Sequence, residues 1–254
     1  MRNIGNVEIQ QLTLGFKNFG AVKAIVEDFS LKFDGGSFTS IIGSSGCGKS
    51  TLINAIGGHY KPMAGHILLD GCEIKDPTAD LGIVFQQHTL FPWKTVRENV
   101  RFGPMQRGVA KGEANRIADK FIEMVGLSSY ASYYPKMLSG GMQHRAEIAR
   151  ALANAPAVLL MDEPFGALDA QMRATLQMSL MEIWRETKVT IIFVTHDVEE
   201  AMFLSQKIVV MSRDRGRIRE VFTVDEPFPR NKEQLFTSHY GRALKEKCLG
   251  SLAA

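Results

Sequence analysis

Cysteine is scarce in this chain. There are three, Cys47, Cys72 and Cys248, an odd number with no pairing pattern. That excludes a disulfide framework and points to a reducing compartment, with the thiols acting as small hydrophobes. Excess charge is scarce too: 30 Lys and Arg against 27 Asp and Glu leave a formal net charge of +3, without a dense basic block. No nucleic-acid partner is expected from such a balance. No stretch approaches the roughly 20 apolar residues that span a bilayer, and Met1-Arg2-Asn3-Ile4-Gly5-Asn6 lacks the apolar core of a signal peptide. A soluble, cytoplasmic protein is therefore expected. Internal repeats, low-complexity tracts and coiled-coil heptads are missing. His59, His66, His88, His144 and His239 show no metal-ligand spacing, which assigns them to structure or surface. What remains is ordinary: 254 residues, 45% hydrophobic and 22% charged, enough to bury a full core as one domain or a domain with a lobe.

One stretch organises the rest. Gly43-Ser44-Ser45-Gly46-Cys47-Gly48-Lys49-Ser50 follows an apolar run at 38–42 that reads as a buried strand, and precedes a helical pattern opening at Thr51. Strand, glycine-rich loop and helix form the context of a phosphate-binding loop. Glycines let the backbone approach a phosphate closely, and the loop amides and the helix N-terminus supply positive potential. Lys49 is placed to reach the β- and γ-phosphates and the Ser50 hydroxyl to ligate Mg²⁺. Cys47, beside these amides, is expected to react with thiol reagents.

Early alternating runs at 7–16 and 25–33 predict antiparallel strands. Residues 95–127 read as helical; 111–125 show it best, with Ile117, Phe121, Ile122 and Val125 at helical spacing. Residues 142–153 are strongly helical. The middle third is thus a mostly helical insertion in an α/β core. Continuous apolar runs at 157–161 and 189–194 predict strands of a parallel sheet covered on both faces. A further strand is expected at 207–211, and an amphipathic helix near 234–248 closes the chain.

Three of these strands end in chemistry: Gln86, Asp162-Glu163 and His196. Ligands of open α/β sheets sit at carboxyl strand ends, so these residues are expected to converge on the loop's phosphates. Asp162 suits a Mg²⁺-holding carboxylate, and Glu163 a general base or water-orienting group; a helix cap is the plainer alternative for the pair. Leu138-Ser139-Gly140-Gly141-Met142-Gln143 opens a second helix with a hydroxyl and two glycines, another anion site by the same dipole argument. It is best explained by closure on a nucleotide held by a second copy; a plain helix cap is the alternative. Residues 87–93, with Leu90, Phe91, Pro92 and Trp93 expected to be exposed, read as a partner surface or a local mini-core.

With these motifs in this order, the chain resembles the nucleotide-binding subunits of ABC transporters over nearly its whole length. Residues 43–50 look like Walker A, Gln86 like the Q-loop glutamine, and 138–143 like the signature motif, with Met142 where many members carry glutamine. Residues 159–162 with Glu163 look like Walker B and the catalytic glutamate. Gly166-Ala167-Leu168-Asp169 resembles the D-loop, with Gly166 where serine is usual, and His196 the switch histidine. The implied fold is α/β: a P-loop NTPase core with an antiparallel β subdomain plus a helical subdomain. Its implied extent is an ATPase domain at 1–224, with the helical subdomain inserted at about 88–153, and a C-terminal helical tail at 225–254.

The resemblance implies a head-to-tail dimer with two ATP molecules at its interface. Each ATP would be held by Gly43, Ser44, Ser45, Gly46, Cys47, Gly48, Lys49, Ser50 and Thr51 of one protomer and by Ser139, Gly140 and Gly141 of the other. Mg²⁺ would take Ser50, Gln86 and Asp162; His196 would contact the γ-phosphate; Asp169 would link the two sites. Phe19 is the candidate for stacking on adenine, with Phe16 its rival. Phe91-Pro92-Trp93 resembles the nitrate/sulfonate/taurine branch of bacterial importers. Transmembrane permease subunits and, indirectly, a solute-binding protein are the implied partners, at the cytoplasmic face of the inner membrane. An exporter or lipid-trafficking ATPase is the alternative. An ABC ATPase without a membrane partner is disfavoured by the single cassette and the short spacing from Gln86 to Ser139.

Overall fold

The computed structural model of the chain describes residues 4–18, 21–166 and 168–253. In chain order the elements are β1 (Val7–Asn18), β2 (Ala21–Phe33), β3 (Phe38–Gly43), α1 (Lys49–Ile56), β4 (Ala64–Leu69), β5 (Cys72–Glu73), β6 (Leu81–Val84), α2 (Val96–Gln106), α3 (Lys111–Met124), α4 (Gly140–Ala153), β7 (Val158–Asp162), α5 (Ala170–Thr187), β8 (Thr190–Thr195), α6 (Val198–Leu204), β9 (Lys207–Met211), β10 (Ile218–Thr223), α7 (Lys232–Thr237) and α8 (His239–Ala253). They fall into two compact units, Met1–Thr78 with Thr190–Ala254, and Ala79–Val189.

The first unit carries the antiparallel sheet β2-β1-β4-β5. Side-chain alternation sets its register: Val7 lies between Phe33 and Leu69, and Ile9 pairs with Ile67, all of them buried. Between Ile9 and Leu12 the register shifts and Gln11 takes φ 46°, the mark of a β-bulge. The unit's other strands gather on β3. It pairs in parallel with β8 (Phe38 with Ile191) and with β9 (Thr39 with Lys207), and β10 runs antiparallel to β9. Every residue of β3 and β8 is buried, including Thr39, Ser40, Thr190 and Thr195 among the apolar side chains, as strands covered on both faces require.

The C-terminal stretch is two helices rather than the one its amphipathic pattern predicts. Ser238 turns to ψ 154°, and its Oγ accepts from the Gly241 amide at 2.9 Å, while Asn231 caps α7 by accepting from Gln234 N at 3.0 Å. Arg230 anchors the segment: it is buried, and its Nη1 donates to the carbonyls of Met202 and Ser205 at 2.7 Å each. Burial pushes its pKa down to about 10.

In the second unit β6 and β7 pair in parallel, Leu81 with Val158, and α2, α3 and α4 pack on one another. A capping box starts α2: Thr95 Oγ1 accepts from Glu98 N at 3.3 Å, and Glu98 Oε2 accepts from Thr95 N at 2.9 Å. On α3 the buried stripe is Ala114, Ala118 and Ile122, continued by Val125; Ile117 and Phe121 are only half-buried. The helical period is as expected but its phase is displaced, because small alanines allow the close approach to neighbouring helices. Among the described residues no helix is long and apolar enough to cross a membrane.

Candidate functional site

At the end of β3 the chain turns through the glycine-rich loop into α1. Gly46 (φ 81°) and Gly48 (φ 104°) take left-handed backbone that side chains resist, and a Cβ on Gly48 would stand 2.8 Å from Val26 Cγ2. Lys49 is buried; its Nζ donates to the carbonyls of Gly43 at 2.8 Å and Ser44 at 3.2 Å. No side chain caps α1, and its first turn carries no acidic residue, so the positive helix terminus keeps its attraction for an external anion. Ser44 Oγ is buried with no hydrogen-bond partner, while Ser45, Gly46 and Ser50 are exposed and Thr51 is half-buried. A buried ammonium, an orphan hydroxyl and an uncapped helix start together fit a phosphate chain. Cys47 departs from expectation: it is 1% exposed, and its Sγ packs so closely that a Cβ on Gly43 would lie 2.6 Å from it. Its role is packing beneath the loop, and reagents in solvent do not meet it.

In the same unit β8 delivers His196 to the surface just past its end. Thr195 Oγ1 donates to Glu200 Oε2 at 2.7 Å and accepts from the Asp197 amide at 3.0 Å, and Asp197 Oδ1 caps α6 by accepting from Glu199 N at 2.8 Å. This ladder fixes the backbone on either side of the histidine.

The remaining sequence-predicted residues lie in the second unit. Asp162 ends β7 and is buried. Glu163 follows at φ 44°, a conformation costly for any residue but glycine, and the turn is closed by the Gly166 amide donating to Glu163 O at 3.2 Å. Asp169 Oδ1 accepts from Met172 N at 2.9 Å and caps α5; Ser139 Oγ accepts from Met142 N at 3.3 Å and caps α4. Ser139 and Gly140 are exposed, whereas Gly141 is buried where a Cβ would overlap Met172 Sδ. Gln86 is exposed two residues beyond β6. Phe19 lies outside the described residues; Phe16 is exposed, its ring edge-on to Tyr60 at 6.2 Å.

The segment after Gln86 is more constructed than its sequence suggests. Leu90 is buried rather than exposed; Phe91 meets Trp93 at 5.7 Å and Phe102 at 4.8 Å, and Trp93 stays 70% exposed. Asn99, fully buried, accepts from Phe91 N at 2.7 Å and donates to the carbonyls of Lys94 and Thr95 at 3.0 Å each. Sequence reasoning missed it; its only signal is an amide on an apolar helix face.

Glu147 was missed likewise, and two of the five histidines expected to be scattered, His88 and His144, converge on it. His88 Nδ1 and His144 Nδ1 lie 3.2 and 3.0 Å from Glu147 Oε2, and the two rings are 4.8 Å apart. The Thr89 amide donates to Glu147 Oε1. Burial alone would raise this carboxyl's pKa, but hydrogen bonds from His144, Thr89 and His88 hold it below the ordinary value.

The sequence pattern described as "ABC transporter" matches residues 26–166. An uncharacterized ABC transporter ATP-binding protein of Methanocaldococcus jannaschii is 46% identical over 97% of this chain and 94% of its own length. The taurine import ATP-binding protein TauB of Roseobacter denitrificans is 43% identical over 85% of this chain and 81% of its own. A dimeric bacterial ABC transporter cassette superposes with a TM-score of 0.76 at 31% identity, covering 87% of this chain and all of that one. A matched pattern over more than half the chain, and relatives matched along nearly all of it, mean that the chain belongs to the ABC transporter family, as one of its ATP-binding subunits.

Proposed function

We propose that this chain binds and hydrolyses ATP to drive an importer for a small anion of the nitrate, sulfonate and taurine class. The observation that carries the reading is the loop at 43–51, with Lys49 buried and tied to Gly43 and Ser44 beside an uncapped helix terminus. The loop amides and Lys49 hold the phosphates; Ser50, Gln86 and Asp162 are the residues that would hold Mg²⁺, which when bound neutralises charge on the β- and γ-phosphates. Glu163 takes a proton from, or orients, the attacking water, and His196 contacts the γ-phosphate. Phe19 stacks on adenine.

Ser139, Gly140 and Gly141 of a second copy cap the nucleotide in a head-to-tail homodimer, and Asp169 links the two sites. Residues 1–224 act as the ATPase domain, with the helical subdomain at about 88–153, and residues 225–254 as the tail. The exposed Trp93 supports docking of transmembrane permease subunits at 87–93, which holds the chain at the cytoplasmic face of the membrane, with a solute-binding protein acting indirectly. The taurine-import relative and the Phe91-Pro92-Trp93 stretch support the substrate class.

Glu163→Gln tests the reading. It should keep ATP bound, lose turnover by about 10²–10⁴-fold, and accumulate an ATP-loaded dimer on size-exclusion chromatography. Hydrolysis at the parental rate would remove Glu163 from the base role.

A further inference from the structure

We propose that His88, His144 and Glu147 form a binding site for a borderline divalent transition metal, Zn²⁺ foremost. Their ligand atoms all lie within 4.8 Å of one another, and His144 and Glu147 are buried. Tetrahedral zinc with bonds near 2.0–2.1 Å separates its ligand atoms by about 3.3 Å. The two Nδ1···Oε2 distances here, 3.2 and 3.0 Å, fall close to that edge. Without metal, each imidazole donates an Nδ1 proton to the ionised carboxylate. With metal, those protons are displaced, both rings become Nε2–H tautomers, and both Nδ1 lone pairs face the ion. Water fills the fourth position on the His88 side, whose side chain is about a third exposed at 35%.

The support around the ligands is of the kind metal sites use. Glu147 Oε1 is held by the Thr89 amide and, at 3.3 Å, by Thr89 Oγ1. Arg150 in turn donates to the Thr89 carbonyl at 2.7 Å and to Thr89 Oγ1 at 2.5 Å, so its guanidinium engages Thr89 and leaves Oε2 to the histidines. Such outer contacts orient a ligating carboxylate. Imidazole nitrogens select zinc, copper or nickel over Mg²⁺, so the nucleotide's metal does not compete. The site lies where it has consequence. His88 follows Gln86 by two residues, and a Cβ on Gly140 would stand 3.7 Å from His88 Nε2. A bound ion therefore clamps the segment after Gln86 onto α4 at its glycine start.

The test uses the full chain, stripped by chelator and free of nucleotide, so that it reads independently of the ATPase assignment. Zn²⁺ is titrated in competition with a chromophoric chelator, and Co²⁺ is followed by its visible absorption. One Zn²⁺ per chain and a tetrahedral Co²⁺ band are expected. His88→Gln, on the open side and with an amide N–H that can replace the donor to Glu147, should weaken Zn²⁺ binding roughly tenfold or more while moving the metal-free melting temperature far less than removal of the carboxylate would. His144→Gln should do the same where it folds. His66→Ala, which breaks the exposed His66–Glu73 pair, should change nothing. No stoichiometric binding at 100-micromolar order, or affinity indifferent to His88→Gln, or affinity lost with His66→Ala, would overturn the proposal and leave a hydrogen-bonded network only.

Discussion

Two helices of this chain begin at glycines and read in the sequence as anion sites, but they begin differently. α1 starts after Gly48 at φ 104°, with no side-chain cap and a buried lysine folded back on the loop's carbonyls. α4 starts after Ser139, which caps its own helix through a 3.3 Å hydrogen bond, and it carries no cation comparable to Lys49 in its first turn. The dipole physics is shared. The difference is completeness. At α1, local sequence supplies glycine geometry, charge and a helix start with no side-chain cap together. At α4 it supplies a terminus and a hydroxyl, so an anion there needs help from elsewhere. The contrast is between a helix start that carries its own charge and glycine geometry and one that carries only a terminus and a hydroxyl.

The largest expected effect attacks the cradle. Lys49→Ala removes a charge-assisted partner and strands the Gly43 and Ser44 carbonyls. A loss of ~2–3 kcal/mol is expected, which is about a hundredfold in ATP affinity, measured by isothermal titration with the monomeric chain. Unchanged affinity would erase the contrast with α4. Next, Gly48→Ala forces a side chain into φ 104° and against Val26 Cγ2. It should cost about 1–3 kcal/mol in urea denaturation, more than alanine at exposed Gly140, where the nearest atom to a Cβ is 3.7 Å away. Equal costs would show that the α1 loop is no more constrained than the α4 start.

The legibility of the two regions differs for the same reason. The strand ending at Gly43 and the loop after it are readable because a buried parallel strand carries mostly small and apolar residues and a left-handed turn needs glycine. Asp162 is locatable as the first polar residue after such a run, and His196 as the residue just past the threonine that ends the next one. What escaped notice depends on neighbours remote in sequence. His88 and Glu147 meet across 59 positions, Asn99 is meaningful only because a loop folds over it, and the inward stripe of α3 is set by how closely other helices approach. Cys47 reads as reactive in the sequence because its neighbours resemble a phosphate-binding loop, yet its Sγ sits under Gly43. The break at Ser238 is an ordinary serine until Gly241 donates to it.

Ser139→Ala sharpens the contrast at the other helix. Losing a 3.3 Å cap should cost ~1 kcal/mol or less in stability. If the cap serves a second copy, ATP affinity of the monomeric chain stays at the parental value, while the ATP-loaded dimer formed with Glu163→Gln loses stability on dilution. A fall in monomer affinity equal to that of Lys49→Ala would mean that the two termini act within one chain.

The smallest effect is expected at Gly166→Ser. The residue closes the turn after Glu163, yet its backbone lies outside the left-handed region, and a Cβ there would meet only Glu163 O at 3.5 Å and Oε2 at 4.0 Å, ordinary contacts. Gly166 therefore differs from Gly48 and Gly141, whose missing Cβ is demanded by Val26 and Met172. A serine fits without displacement, and its hydroxyl can donate to the Glu163 carbonyl. Stability should move by no more than about 0.5 kcal/mol, which for a chain of this length is about 1–2 °C in melting temperature, read by differential scanning calorimetry. ATP turnover should change less than about twofold, since no charge and no backbone amide is lost. A larger drop in turnover at unchanged melting temperature would place a steric requirement at Gly166 that the chain's described atoms do not impose, as expected where an opposing copy approaches it.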